Sequence, residues 1–161
     1  MEPVDVTITD YLQMVQLFQG ESDRGAAVLA GSYVENFLGA YLRSCMADRS
    51  LSEKIFSSNG SLATFSQRID FAQAFGFLPS GVCRELQLIR KIRNHFAHHP
   101  LNASFGHSPV REWVNELVSS QTEVEVQEGE KFKLADGKVA YLISAGMVVV
   151  VTHNTMLQRN R

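Results

Sequence analysis

Val82-Cys83-Arg84-Glu85-Leu86-Gln87-Leu88-Ile89-Arg90-Lys91-Ile92-Arg93-Asn94-His95-Phe96-Ala97-His98 reads as one amphipathic helix, and its placement of apolar and charged groups decides the fold class. At about 100° per residue, Val82, Leu86, Ile89, Ile92 and Phe96 make a single apolar arc that must face a core. Arg93 falls inside that arc, between the directions of Leu86 and Ile89. A guanidinium turned inward keeps its charge, so it requires a carboxylate, a set of backbone carbonyls or a bound anion. Asp23, Glu35 and Asp70 are the candidate carboxylates.

The same run ends in chemistry that works at neutral pH. His95, His98 and His99, three of the five histidines, precede Pro100. Imidazole can act as acid, base or metal ligand, and a guanidinium matches phosphate geometry, so Arg93 with His98 reads as a phosphate-handling pair. Against this, five residues place the two side chains about 140° apart on an ideal helix. They can meet only if the helix loosens ahead of Pro100 or if a second copy of the chain interleaves its motif in a symmetric dimer. Without these, His98 is a C-terminal imidazole on the last carbonyls, and His95 and His99 face solvent. Arg84, Arg90 and Lys91 could join Arg93 in a nucleic-acid or phosphate patch, or form an ordinary solvated face; no helix-turn-helix signature accompanies them.

Outward from this helix the chain reads as further helices. Tyr11, Leu12, Val15 and Phe18 have helical spacing, and Gly20 ends the segment. After a Ser22-Asp23 cap signal, Ala26 to Met46 carries a broad apolar stripe, with Ala26, Ala30, Gly31 and Gly39 small enough to let a neighbour approach. Leu51 to Phe56 is a short helix, Leu62 to Phe75 another that stops at Gly76, and a last one starts at Ser108-Pro109 and ends near Ser120. Beyond residue 120 a terminal helix over 139–157 is preferred to a β-hairpin, although Val148 to Val151 is β-branched.

Composition bounds the function. The 161 residues suffice for one domain, and 45% apolar with 20% charged content is that of a globular chain. A net charge of −2 lacks the basic excess usual in nucleic-acid binders. Cys45 and Cys83 have no metal-ligand spacing, no signal segment opens the chain, and the apolar run 139–151 is too short to span a bilayer, so a cytoplasmic protein is expected. No carboxylate or cysteine is spaced to complete a metal site with the histidines, and no cofactor motif is present, so neither metal nor cofactor is expected.

Taken together, Ser22-Asp23-Arg24-Gly25-Ala26-Ala27, Gly60-Ser61-Leu62, Phe65-Ser66-Gln67-Arg68-Ile69, Ala74-Phe75-Gly76-Phe77-Leu78 and Ile89 through His98 resemble the mannitol operon repressor family over about residues 10–118. The resemblance implies an all-α bundle of about six helices and a dimeric transcriptional regulator without catalysis. It also implies a nucleic-acid or protein partner. Arg93, Asn94 and His98 are similar in spacing to the motif of HEPN domains as well. That second resemblance implies metal-independent RNA cleavage at a dimer interface, with Arg93 on the scissile phosphate and His98 in proton transfer.

Overall fold

A computed structural model of the chain describes residues 8–127, 130–133 and 135–159. Among them are eight helices: α1 (Ile8–Gln19), α2 (Asp23–Ser44), α3 (Arg49–Phe56), α4 (Phe65–Ala74), α5 (Ser80–His98), α6 (Val110–Asn115), α7 (Val118–Gln121) and α8 (Gly137–Arg159). Strands β1 (Glu123–Gln127) and β2 (Glu130–Lys133) pair antiparallel between α7 and α8, with Glu123 opposite Lys133 and a register shift between Glu125 and Gln127. The architecture is an all-α bundle. The preferred terminal helix is α8, and Val148 to Val151 are helical; the hairpin lies ahead of it, in a polar stretch where the sequence predicts no strand.

Local chemistry sets the helix ends. Ser22 accepts a hydrogen bond from the Gly25 N–H (3.0 Å) to start α2, and Asp48 accepts one from Leu51 (2.9 Å) to start α3. Thr64 and Gln67 cap each other reciprocally, so α4 begins at Phe65 and the expected start at Leu62 lies in the preceding turn. Gly76, at φ 64°, ends α4 in a Schellman pair of bonds: Phe77 N–H donates to Ala72 O and Gly76 N–H to Gln73 O.

Helices α2, α5 and α8 pack on one another and form the centre. Ala26, Ala27, Ala30 and Gly31 of α2 are buried there, with Leu86, Ile89, Ile92 and Phe96 of α5 and Ala140, Tyr141, Leu142 and Ala145 of α8. By length and composition α8 could cross a membrane, yet 61% of its apolar window is buried inside the bundle, where it serves as a core helix. Packing also overrides the β-branching of Val148 and Val149, both buried on α8.

One expected helix divides in two. The segment from Pro109 to about Ser120 breaks at Glu116-Leu117, where Leu117 is extended and fully buried. The break turns α7 so that the Glu85 carboxylate receives the Val118 N–H (3.0 Å), while Ser119 Oγ donates to Ala140 O (2.7 Å).

Candidate functional site

Arg93 goes inward, as its place in the arc requires. Its stem crosses α2 at Gly31, where a Cβ would lie 2.6 Å from both Cβ and Cγ of Arg93 and 3.0 Å from the Tyr141 hydroxyl. Its Nη2 is ion-paired and hydrogen-bonded with Glu35 Oε2, one turn further along α2. The guanidinium faces the Phe65 ring at 5.6 Å, and Nε is buried with no hydrogen-bond partner among the described residues. Tyr141 closes the site by donating to Ala27 O (2.8 Å); burial pushes its phenol well above the usual value, against a smaller pull downward from Arg93.

Of the three candidate carboxylates, Glu35 alone meets Arg93. Asp23, in the first turn of α2, accepts from the Phe105 N–H (3.2 Å) and lies 3.9 Å from Lys138 Nζ. Asp70 accepts from Gln87 Nε2 (3.1 Å) on the outer side of α4 and α5. Glu35 also stands 3.9 Å from Arg68, whose guanidinium donates to the carbonyls of Leu62 (3.0 Å), Glu35 (3.3 Å) and Ala63 (3.3 Å). Two arginines therefore converge on one carboxylate.

His98 is elsewhere. Helix α5 continues to His98, and the departure from helical geometry imposed by Pro100 falls on His99 (φ −124°, ψ 68°), too late to redirect the His98 ring. His98 is exposed, and Asn94 is half-buried. Within one chain the structure does not bring Arg93 and His98 to a common point. The C-terminal carbonyl contact expected of His98 is made by His99 instead, whose Nδ1 lies 3.0 Å from His95 O.

His95 is half-buried rather than solvent-facing. Its ring stacks on His99 at 4.2 Å and meets Trp113 edge-on at 5.6 Å, while Lys91 Nζ sits 4.3 Å over the same indole. Burial first, then the neighbouring His99, hold the His95 imidazole below its ordinary value.

The four cations of the proposed patch do not share a face. Arg84 lies 3.8 Å from Glu116, Lys91 covers Trp113 and Arg90 donates to Gln87 (2.9 Å), while Arg93 is committed to Glu35. Seven residues put Arg84 and Lys91 on one side of α5, about 20° apart, while Arg90 and Arg93 point about 100–180° away from them. Among the described residues, no group of three or more His, Cys, Asp or Glu is placed to hold a metal ion.

Glu85 of α5 is also buried, a candidate acid absent from the sequence-based expectations. It lies four residues before Ile89 and seven before Ile92, inside the apolar stripe, and that was the available signal. Burial raises its carboxyl above the ordinary value, partly offset by the Val118 N–H and Ser144.

No family model matches the chain, and no match emerges among curated proteins or solved structures.

Proposed function

We propose that this chain is a non-catalytic regulatory protein of the repressor type suggested by its resemblance to the mannitol operon repressor family, acting as a homodimer through a protein or nucleic-acid partner. One observation carries the non-catalytic part of the reading: the Arg93 guanidinium is engaged by Glu35, on the far side of α5 from the exposed His98. An arginine that must receive a scissile phosphate would first have to leave a half-buried carboxylate, at a cost that a free phosphate contact does not carry. The dispersed cations of α5 and the net charge of −2 favour a protein partner over direct reading of DNA.

The test has two arms. Deleting the gene in its host should raise transcription of a neighbouring operon, and re-expression should restore repression. Purified protein incubated with single-stranded RNA in chelator should leave it intact. RNA cutting that is lost in both Arg93→Ala and His98→Ala, with native melting of both variants, would replace this reading with the ribonuclease one.

A further inference from the structure

Between the C-terminal half of α2, helix α3 and the start of α4 lies a cleft of about 670 Å³, within the span of about 300–1,000 Å³ common to small-molecule sites. Its walls carry Arg43, Arg49 and Arg68, with Asn36, Ser52 and Phe56 among them, and Glu53 is the one acid that lines it among the described residues. In a chain whose net charge is negative, this is a local positive excess of two.

Two of the three guanidiniums are held in place before any ligand arrives. Arg43 lies over the Phe56 ring at 4.4 Å, and Arg68 approaches the same ring at 5.4 Å. Arg68 crosses α2 at Gly39, where a Cβ would come within 3.2 Å of Nη1, and its three carbonyl bonds fix the plane of its fork. Those bonds use three of five N–H donors, one of them from each guanidinium nitrogen. Arg43 and Arg49 have no ion-pair partner among the described residues. The neighbouring Glu35, 3.9 Å from Arg68, offsets the cleft's charge only in part, because it is shared with Arg93. Like charges fixed against one ring repel, and a ligand dianion removes that repulsion while meeting a preformed fork geometry.

The geometry points to a binding site for a small phosphorylated molecule, its phosphate dianion held between Arg43 and Arg68 with Arg49 closing from α3. A phosphate answers the local excess of two charges, whereas a carboxylate answers half of it. Asn36 and Ser52 supply neutral hydrogen-bonding groups for the body of the ligand, and the buried Phe56 ring supports the two guanidiniums from beneath. The inference stands independently of the regulatory reading, since it concerns binding alone.

Inorganic phosphate is the probe, titrated into the full-length chain at constant ionic strength and followed by backbone amide shifts. Saturable shifts are expected on both sides of the cleft, at Gly39 and Ser52, with Arg43→Gln weakening binding by about tenfold through loss of a charge-assisted contact. Arg49→Gln, at an exposed position, should weaken it severalfold without touching the core. Arg84→Gln, at an exposed position of α5 away from the cleft, should leave it unchanged. Acetate should bind more weakly than phosphate. Absence of saturation, equal weakening by Arg84→Gln, or unaltered binding in both cleft variants overturns the site, and acetate binding as tight as phosphate overturns the assignment to a phosphorylated ligand.

Discussion

Arg93 and His98 stand five residues apart on one helix, and their surroundings have little in common. On the inner side of α5 the Arg93 stem passes Gly31 beside the Tyr141 hydroxyl, and its guanidinium faces Phe65 and is tied to Glu35. At the outer end the imidazole of His98 is exposed, while its neighbours His95 and His99 stack beside Trp113. The run Arg93-Asn94-His95-Phe96-Ala97-His98 is thus two structural units, one inside the bundle and one at its rim. Adjacency in sequence says little about shared chemistry on a helix, where direction changes by about 100° per residue.

The inner unit should break most severely where it has no slack. Gly31→Leu places a side chain where Arg93 Cβ and Cγ and the Tyr141 hydroxyl already stand. Neither neighbour can retreat cheaply, since the arginine is held by Glu35 and the phenol by Ala27 O. The expected loss is about 3 kcal/mol or more, at the upper end for overpacked interiors, read from chemical denaturation. A Gly31→Leu protein as stable as the parent would mean that α2 and α5 are not packed this closely.

How much of this was legible follows from the same contacts. The inward direction of Arg93 was readable because periodicity alone fixes direction. Its partner was readable only as one of three acids. Choosing Glu35 requires knowing that the Arg93 stem passes Gly31, which places the guanidinium one turn along α2, beside residue 35. That register belongs to packing between two helices and leaves no trace in either one alone. Helix boundaries set by short-range chemistry, such as Gly76 and the Ser22 cap, were visible, while the break at Leu117 was not, because its cause is a carboxylate on α5. The cleft around Phe56 escaped for the same reason: Arg43, Arg49 and Arg68 come from three helices, and nothing in their spacing brings them together.

The Glu35–Arg93 pair itself offers a finer measurement. Removing either partner leaves the other charge half-buried, with side chains 20–22% exposed, so Glu35→Ala and Arg93→Ala should each cost about 2 kcal/mol, below the 3–5 of a fully buried pair because solvent screens part of the charge. The double variant should be less destabilised than the two single losses combined, giving a coupling of about 1–2 kcal/mol in a double-mutant cycle. Strict additivity would show that the contact contributes nothing and that Arg93 is held by its packed stem. Glu35→Ala also frees Arg93, so acquisition of RNA cutting by that variant would join the inner and outer units after all.

The outer unit answers to pH, with the smallest effect of the three. Burial and the proximity of His99 both disfavour the charged form of His95, so its folded value lies below the ordinary 6.5. A base depressed in this way is neutral in the folded chain where the unfolded chain has begun to bind a proton. Its contribution to stability is therefore complete above pH 6.5 and is lost as pH falls from there through the folded value. Observed by NMR, the His95 ring should titrate below 6.5, and His99→Ala should move it upward by removing the second cause while the first, larger one persists. The shift should be partial. If His99→Ala returns His95 fully to 6.5, the stacked ring rather than burial against Trp113 sets the imidazole's charge, and the rim is a histidine pair in its own right; if nothing moves, the two rings do not sense each other, and the stacking is a matter of shape alone.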